Sequence, residues 1–315
     1  GSHLTRNLLE NHKVLVIDKV TYAADENTLK EFKLNANFSF IKEDVSNIKK
    51  INSLVDDFRP NIIFHLAAES HVDKSIKNSI DFINSNILGT YSLIEASLNL
   101  FNKDKNHDFI FHHISTDEVY GDLVDRKSRE DLSLKNLFSE SSKYYPSSPY
   151  SASKAASDHL VFAWGRTYGL PFIISNCSNN YGPNQAKEKF IPNIISTAFH
   201  GKDIPIYGDG SQIRDWIFVQ DHVEALTKLA FSKNTGIFNI GGDNQIKNLD
   251  LCKTILQKLD LLKPKTKNQS YLDQISFVDD RPGHDVKYGV DNSKIKKIID
   301  WSPSVNLEKG LDITI

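Results

Sequence analysis

The sequence predicts an α/β fold in which a doubly wound parallel sheet is joined by a smaller, mixed α/β lobe. Short apolar segments typical of buried strands alternate with longer amphipathic segments typical of helices over residues 1–175. Polar residues follow several of these strands directly, where an open parallel sheet binds its ligands. We therefore expect a cofactor-binding domain over 1–175 and mainly a substrate lobe over 176–315, with an approximate boundary because the two share strands of one core.

Composition excludes several classes of protein. The 315 residues contain 38 Lys and Arg against 40 Asp and Glu, so the formal net charge of −2 gives no footprint for nucleic acid or an anionic membrane. No apolar run approaches the roughly 18 residues that cross a bilayer. Cys177 and Cys252 are far apart, and the eleven histidines show no metal-ligand spacing. We expect a soluble, cytoplasmic protein with buried thiols and no metal.

The first elements match the second half of a dinucleotide-binding βαβ unit. A helix over Leu4–Glu10 leads into a strand over Lys13–Asp18. Asp18 at its end suits the ribose hydroxyls of NAD and would repel the extra phosphate of NADP, although a solvated strand-end Asp is the alternative. We expect Gly1-Ser2-His3 to be the tail of a Gly-rich phosphate loop whose strand lies upstream; a cloning scar is the alternative.

The next elements continue the alternation. A strand over Phe38–Ile41 is followed by Asp44, and a strand over Asn61–Leu66 is followed by Ala67, Ala68, Glu69 and Ser70. The small side chains would let a cofactor approach the backbone. Between these strands, residues 45–58 predict an amphipathic helix with Ile48, Ile51, Leu54, Val55 and Phe58 facing inward. Residues 73–100 predict a long helix that Gly89 interrupts.

A chemically rich cluster follows the strand that begins at Phe109–Phe111. Ser115, Thr116, Asp117 and Glu118 fall where that strand should end. A hydroxyl and two carboxyl groups offer a hydrogen-bond partner, an acid and a base, provided that their surroundings separate the two pKa values. The alternative is a turn that caps a helix.

A second cluster, Ser148-Pro-Tyr-Ser-Ala-Ser-Lys154, begins a helix that runs to Tyr168. Tyr150 and Lys154 are four residues apart and would meet on one helix face. The Lys ammonium would then lower the pKa of the Tyr hydroxyl from its usual value of about 10. Such a pair suits hydride-transfer chemistry, although the spacing alone also arises by chance.

The second half is less regular. Strands are predicted over Leu170–Ser175, Arg214–Val219 and Phe238–Gly242, and a helix over Asp221–Phe231. The amides in Asn176–Pro183 could bind a sugar or nicotinamide, or could simply form turns. Arg214 and Arg281 could grip a diphosphate, or could pair with their Asp neighbours on the surface.

Five motifs carry a resemblance to a known family. They are His-Leu-Ala-Ala-Glu-Ser-His-Val-Asp (65–73), His-Ile-Ser-Thr-Asp-Glu-Val-Tyr-Gly (113–121), Ser-Ser-Pro-Tyr-Ser-Ala-Ser-Lys (147–154), Asn-Cys-Ser-Asn-Asn-Tyr-Gly-Pro (176–183) and Asp-Arg-Pro-Gly-His-Asp (280–285). The chain resembles the extended short-chain dehydrogenases/reductases, and within them the dehydratases that act on dTDP-glucose. Their Rossmann-like fold also has a first strand with a Gly-rich loop, and C-terminal helices, which we expect to lie outside this chain.

The resemblance implies a redox-neutral dehydration with NAD as a recycled cofactor. Tyr150, assisted by Lys154 and with Thr116 bonded to the sugar O4, would remove the hydroxyl proton during oxidation at C4. Glu118 would take the C5 proton, and protonated Asp117 would donate to the departing C6 hydroxyl.

The resemblance also implies two sets of binding residues and a homodimer. The cofactor set contains Asp18, Lys19, Thr21, Asp44, Val45, Leu66, Ala67, Ala68, Ser70, Ser85, Tyr150, Lys154 and Asn180. The substrate set contains Ser70, Thr116, Asn179, Lys189, Phe190, Pro205, Tyr207, Arg214, Asn248, Arg281 and His284. The dimer would pair the helices Ile80–Leu100 and Ala152–Tyr168.

Two alternatives remain open. One is another nucleotide-sugar dehydratase or epimerase of the same superfamily, with a different base pocket. The other is an NAD-binding sensor without catalysis, since a fold does not fix a function. Such sensors typically lose the Tyr, the Lys or the acid/base pair, all of which this chain retains.

Overall fold

The computed structural model describes residues 1–104, 108–124, 136–266 and 269–315. The strands are β1 (Val14–Asp18), β2 (Phe38–Lys42), β3 (Ile62–His65), β4 (Ile110–Thr116), β5 (Phe172–Cys177), β6 (Asn179–Tyr181), β7 (Ile204–Tyr207), β8 (Ile213–Phe218), β9 (Gly236–Ile240), β10 (Gln245–Lys247) and β11 (Ile275–Val278). The helices are α1 (Ser2–Leu8), α2 (Glu26–Phe32), α3 (Ile48–Phe58), α4 (Val72–Lys77), α5 (Ile80–Phe82), α6 (Gly89–Asp104), α7 (Pro149–Tyr168), α8 (Phe190–Phe199), α9 (Val219–Phe231), α10 (Asn248–Leu262), α11 (Ser293–Ile299) and α12 (Leu307–Thr314). A π-helical segment, Ile83–Leu88, joins α5 to α6, and 3-10 turns cover Asp117–Tyr120 and Tyr271–Gln274.

Parallel strands form the centre of the molecule. The order β3-β4-β5-β9 gives a four-stranded sheet that is parallel throughout, and β1 pairs in parallel with β2. In the described ranges, no hydrogen-bonded ladder joins these two sheets. The predicted parallel α/β architecture is confirmed.

Helices cover both faces of the four-stranded sheet. On one face, α3, α6 and α7 bury residues such as Ile51, Ile94 and Val161 against Phe111 of β4. On the other face, α1, α9 and α11 cover the sheet through residues such as Leu4, Leu226 and Ile295. Burying apolar area at both faces, at about 25 cal/mol per Å², is what stabilises a sheet of this kind.

A second core lies beside the first. Strand β8 pairs with β6 in parallel and with β10 antiparallel, and β7 pairs with β11 in parallel. The second core is centred on Trp216 and Leu251, with α8 and α10 packed around it. β9 lies after residue 175 in the chain and yet forms the edge of the parallel sheet, so the two parts interleave.

Two helix predictions need correction. The helix predicted over 45–58 begins at Ile48, and both Ile48 and Phe58 are exposed instead of facing inward. The helix predicted over 73–100 is interrupted at Asn78, which is extended, and not at Gly89, where helical structure continues. Gly89 has a packing role, because a Cβ there would lie 2.7 Å from Cγ2 of Val45.

Cys177 and Cys252 are buried and unpaired, as predicted. Within the described ranges, no helix has the length and apolar character needed to cross a membrane. The same residues contain no group of His, Cys, Asp and Glu arranged to hold a metal ion.

Candidate active site

Strand β4 carries the Thr116-Asp117-Glu118 cluster to the carboxyl edge of the sheet. The strand ends at Thr116, whose hydroxyl accepts a hydrogen bond from the backbone N–H of Glu118 at 3.3 Å. Thr116 therefore caps a short turn, as the alternative interpretation expected. The carboxyl groups of Asp117 and Glu118 do not take part in this cap.

Helix α7 brings Tyr150 to this cluster. Ser148 and Ser151 form a reciprocal capping box, and Pro149 occupies the first turn, so the sequence defines where the helix begins. Tyr150 lies in that first turn, close enough to Thr116 for the Thr hydroxyl to lower the pKa of the Tyr hydroxyl, an effect that burial outweighs. The predicted catalytic residues of β4 and α7 thus meet at one point.

Asp117 lies where a charged carboxylate is unfavourable. It is 1% exposed, and its Oδ1 accepts a hydrogen bond from the Thr116 hydroxyl at 3.4 Å. Burial raises the pKa of Asp117 well above its usual range, and the neighbouring Glu118 and Asp215 raise it further. The surroundings therefore favour a protonated Asp117, which can donate a proton.

Glu118 has different neighbours. Burial raises its pKa as well, but Arg281, Arg214 and Lys189 oppose that effect by stabilising the charged form. The pKa of Asp117 is therefore raised further than that of Glu118, so Asp117 holds a proton more firmly and Glu118 ionises more readily.

The expected effect of Lys154 on Tyr150 is not observed. Burial raises the pKa of Tyr150 well above 10, and Glu118 raises it further. Lys154 is 3% exposed; its Nζ donates to the carbonyl of Ile114 at 2.9 Å and lies 3.3 Å from Nε2 of His113. The prediction was wrong because it considered only the helical spacing of the pair and neither burial nor the nearby carboxyl groups.

Three strand ends meet at the predicted cofactor edge. Lys19, after β1, lies 3.8 Å from a carboxylate oxygen of Asp44, after β2, and 3.5 Å from one of Glu69, after β3. Asp18 is exposed at the end of β1, and its Oδ1 accepts a hydrogen bond from Val20 N–H at 2.6 Å. Val20 is held at φ 56°, a strained value for a β-branched residue.

These donors and acceptors fit NAD. A carboxylate at the end of β1 can accept hydrogen bonds from ribose hydroxyls, and its charge disfavours the additional phosphate of NADP. Ala67 and Ala68 follow β3 with side chains small enough to let a ligand approach the backbone. The fit therefore rests on the chemistry of Asp18 and on the small residues after β3.

The remaining residues of the predicted cofactor set differ in burial and in their contacts. Ser85 is buried in the π-helical segment, and Val45 is buried against Gly89. The Asn180 side chain already donates to the carbonyl of Ser178 at 3.2 Å. Thr21, Leu66 and Ser70 are partly exposed in loops after β1 and β3.

Lys189 and Ser70 are directly connected on the substrate side. Nζ of Lys189 donates to the backbone carbonyl and the hydroxyl of Ser70, at 2.8 and 2.9 Å. Lys189 precedes α8 of the second core, whereas Ser70 follows β3 of the parallel sheet. The contact joins the two parts of the molecule across the site.

Asp73 is hydrogen-bonded to two other predicted substrate residues. Its carboxylate accepts hydrogen bonds from Nη1 of Arg281 at 3.3 Å and from the hydroxyl of Tyr207 at 3.2 Å. His284 packs edge-on against Tyr207, and its Nδ1 lies 2.6 Å from Oδ1 of Asp280. Arg281 is paired as its alternative proposed, but with a distant Asp instead of an adjacent one.

Arg214 is buried, which excludes the surface ion pair proposed as its alternative. Its guanidinium donates to the carbonyls of Ile213 and Asp285 at 2.8 Å and lies 4.2 Å from the ring centre of Tyr288. The neighbouring Asp215 instead accepts from the backbone N–H groups of Gly242 and Asn244.

The other substrate residues lie in elements of the second core. Asn179 and Pro205 are in β6 and β7, Phe190 packs against Trp216, and Asn248 begins α10. Within the described ranges, none of these residues forms a side-chain hydrogen bond with Asp117 or Glu118.

Sequence reasoning missed several residues that support the site. Asn86 bonds both backbone groups of Glu69 and donates to the hydroxyl of Ser153 on α7 at 2.8 Å. Asp158 and His113 contact each other behind Lys154. Helical spacing could have indicated Asp158, which is four residues after Lys154, whereas nothing in the sequence marks the π-helical segment that carries Asn86.

Comparison with known proteins places this geometry in a family. The profile of the family described as GDP-mannose 4,6-dehydratase matches residues 1–314. The chain belongs to the GDP-mannose 4,6-dehydratase family. The predicted resemblance to nucleotide-sugar dehydratases is confirmed.

Members with higher similarity carry a more specific name. A dTDP-glucose 4,6-dehydratase of Haemophilus influenzae is 49% identical, over 100% of this chain and 93% of its own length. The solved dTDP-glucose 4,6-dehydratase of Streptomyces venezuelae, with NAD bound, has a TM-score of 0.86 and 32% identity, over 99% of this chain and 91% of that one. The Bacillus anthracis enzyme of the same name, also in complex with NAD, has a TM-score of 0.83 and 33% identity, over 100% and 91%.

The raised pKa of Asp117 predicts a gain in stability from Asp117→Asn at high pH. The folded chain keeps a proton that the unfolded chain has lost above about pH 4, so folding is penalised as the pH rises from that value to the folded pKa. Relative to the unsubstituted protein, the variant should gain up to about 1.4 kcal/mol in free energy of unfolding per pH unit. Urea unfolding at pH 5, 6, 7 and 8 measures this, and a pH-independent difference would contradict it.

Proposed function

We propose that this protein is a dTDP-glucose 4,6-dehydratase, which converts dTDP-glucose into dTDP-4-keto-6-deoxyglucose and water. The observation that carries the proposal is the Asp117-Glu118 pair beside Tyr150: burial raises the pKa of both carboxyl groups, but that of Asp117 further, and three cations favour the charged form of Glu118. The 49% identical relative of the same name supports the choice of substrate.

The cofactor proposed for this chain is NAD. Asp18 would bind the adenosine ribose, and the residues after β2 and β3, among them Asp44 and Ala67, would line the rest of that side. When bound, NAD would supply the acceptor for the hydride that leaves C4 of the sugar and the donor of the hydride that C6 receives. Lys154 would contact the bound cofactor, since this ammonium does not lower the pKa of Tyr150 in the site as observed.

Tyr150 and Thr116 act at O4 of the sugar. Tyr150 takes the proton of the O4 hydroxyl, so that C4 becomes a ketone. Thr116 donates a hydrogen bond to the same oxygen, which its contact with Tyr150 makes possible. The ketone acidifies the hydrogen on C5.

The carboxyl pair removes water. Glu118 takes the C5 proton as the base, and Asp117 donates its proton to the C6 hydroxyl, which leaves as water. When C6 receives the hydride, Glu118 returns its proton to C5. Glu118 is therefore unchanged over one turnover.

Thr116 would have a second task, which is to return a proton after each turnover. Over one turnover Tyr150 gains the O4 proton, and Asp117 loses the proton that leaves in water. A new turnover needs both to be reset. The hydroxyl of Thr116 donates to Oδ1 of Asp117 at 3.4 Å and lowers the pKa of Tyr150, so Thr116 would pass the proton from Tyr150 to Asp117.

The charged residues at the second core would hold the nucleotide-sugar. Lys189 and Arg281 favour the charged form of Glu118 and can neutralise a diphosphate, with Arg281 exchanging its contact to Asp73 for the ligand. His284, whose pKa burial lowers to about 4, is neutral and would contribute a hydrogen bond. Arg214 would not grip the diphosphate, because its guanidinium donates to the backbone carbonyls of Ile213 and Asp285. It would act on the site through its charge, which lowers the pKa of Glu118. Phe190, Pro205, Tyr207, Asn179 and Asn248 would line the path to the base.

We further propose that the protein is a homodimer in the cytoplasm. Ile80, Ile83 and Leu88 form an exposed apolar stripe along α5 and the π-helical segment, and Phe162 and Tyr168 are exposed on the neighbouring α7. Pairing these helices with those of a second copy would bury both groups. The unpaired thiols suit a reducing compartment, and the net charge of −2 gives no reason to expect nucleic acid as a partner.

The proposal predicts 4-keto product from dTDP-glucose, measured by its absorbance in alkali, with NAD added and without net reduction of NAD. Asp117→Asn should slow product formation by about 10²- to 10⁴-fold while C4 oxidation still produces reduced nicotinamide, because only the acid is removed. Glu118→Gln should have a similar effect on product.

Glu224→Gln, in an exposed carboxylate on α9, is the matched control and should behave as the unsubstituted protein. Faster turnover of GDP-mannose or a UDP-sugar would contradict the choice of nucleotide. Binding of NAD with no turnover of any nucleotide-sugar would contradict the enzyme and favour the sensor.

The dimer predicts that Ile80→Glu and Phe162→Glu, each in an exposed apolar residue of these helices, shift the protein from dimer to monomer. A charge buried in the interface without a partner is unfavourable. Sedimentation equilibrium measures the mass. Ile313→Glu, in an exposed residue of α12, should leave the dimer intact, and a monomeric unsubstituted protein would refute the interface.

A further inference from the structure

The segment 183–189 reaches from the second core to the predicted cofactor edge of the parallel sheet. It joins β6 to α8. At its start, the carbonyl oxygen of Pro183 lies 2.9 Å from Nε2 of His3, in the tripeptide expected to end the Gly-rich loop. At its end, Nζ of Lys189 donates to the carbonyl and the hydroxyl of Ser70. The segment thus contacts two of the regions that we expect to lie around NAD.

Glu188 makes a third connection between this segment and the rest of the molecule. Its Oε1 accepts a hydrogen bond from the hydroxyl of Tyr22 at 3.0 Å, and its Oε2 accepts one from Nζ of Lys74 at 2.9 Å. Nζ of Lys74 also lies 3.2 Å from the ring centre of Tyr22, which is a cation–π contact. We call these three residues the clasp.

The clasp residues come from three different elements. Tyr22 lies in the loop after β1, next to Thr21 of the predicted cofactor set. Lys74 is in α4, four residues after Ser70 and the end of β3. Glu188 precedes α8 of the second core. The clasp therefore connects the second core to the segments that follow β1 and β3, where we expect the adenosine side of NAD.

The clasp combines strength with the ability to open. A single exposed ion pair contributes little stability, but here both oxygens of one carboxylate have a donor and the ammonium also rests on the ring. Burial raises the pKa of Glu188, but the hydrogen bonds from Lys74 and Tyr22 outweigh it and lower that pKa, so Glu188 is charged at neutral pH. Tyr22 is 60% exposed and the Lys74 side chain 45% exposed, so these contacts can break without disturbing a core.

The proposed reaction has a need that such a contact would meet. The cofactor is reduced when C4 of the sugar is oxidised, and it must still be present when C6 takes a hydride. Loss of the reduced cofactor between the two steps would leave a 4-keto sugar without a hydride donor. The inference below rests on the proposed function in this respect.

We propose that the 183–189 segment is a strap over the bound NAD, and that Glu188 is the positioning residue that holds it closed between the two hydride transfers. None of the three clasp residues belongs to the predicted cofactor or substrate set. Since the clasp is formed by groups of the protein alone, it opposes the entry and the exit of the cofactor alike. A side chain that binds NAD directly would affect mainly its exit.

The test is Glu188→Ala in the full chain, with stopped-flow fluorescence of added NADH and no sugar present. We expect the association and dissociation rate constants both to rise by about 3- to 10-fold, with Kd changed by less than about twofold, because a barrier is lowered and no contact with the cofactor is lost. An unchanged dissociation rate would overturn the inference. So would a faster dissociation with an unchanged association rate.

Two further variants and a control make the test graded. Glu188→Gln keeps an acceptor for Tyr22 but loses the charge opposite Lys74, so its rate constants should lie between those of Glu188→Ala and the unsubstituted protein. Tyr22→Phe keeps the ring beneath Lys74 and should have a smaller effect than Glu188→Ala. Glu224→Gln, which removes a carboxylate paired with a Lys on α9, should leave both rate constants unchanged. Equal effects of Glu224→Gln and Glu188→Gln would overturn the strap.

Turnover separates this inference from the proposed function. With dTDP-glucose, Glu188→Ala should release reduced nicotinamide into solution, collected by ultrafiltration, whereas the unsubstituted protein should retain it. Faster exchange of NADH in Glu188→Ala, without turnover of any nucleotide-sugar by either protein, would contradict the proposed function and support the strap. Turnover of dTDP-glucose with the same exchange rates in both proteins would overturn the strap and support the function.

Discussion

Two adjacent carboxyl groups that must differ in protonation state are the constraint on which the rest of this structure depends. Neighbours in sequence share nearly the same surroundings, so the difference has to come from other elements. Strand β8 supplies part of it, because Asp215 raises the pKa of Asp117, whereas Arg214 lowers the pKa of both carboxyl groups. Arg281 and Lys189 lower the pKa of Glu118 as well. The second core is therefore part of the active site, because its charged residues shift the pKa values of the two carboxyl groups that follow β4 of the parallel sheet.

The two carboxyl groups also need neighbouring elements in fixed positions, and buried polar side chains near the sheet provide this. His65 bonds to the hydroxyl of Thr90, His112 lies 3.1 Å from the hydroxyl of Ser175, and Asn86 links Glu69 to α7. Polar side chains in a core are unfavourable unless they have partners, and when satisfied they fix one arrangement of the elements. These contacts set the relative positions of α7, β3, β4 and β5, which carry the groups proposed to act on the substrate.

Sequence reasoning succeeded where local patterns determine structure. Alternating strands and helices placed Thr116 and Asp117 at the end of a strand and Tyr150 near the start of a helix, as the structure has them. It failed where distant residues decide the outcome. The pKa of Tyr150 is raised by burial and Glu118, Arg214 is occupied by carbonyls of another segment, and the π-helical segment depends on packing. None of these is encoded in spacing along the chain.

The most direct test of the account is the fate of the hydrogen on C4 of the substrate. The proposed cycle removes it as hydride and returns the same hydride to C6, while Glu118 delivers a proton to C5. With dTDP-glucose deuterated at C4, the account predicts a product with deuterium at C6 and none lost to water, measured by NMR and mass spectrometry. Deuterium released to solvent, or left in free reduced nicotinamide, would contradict a single site that carries out oxidation, elimination and reduction.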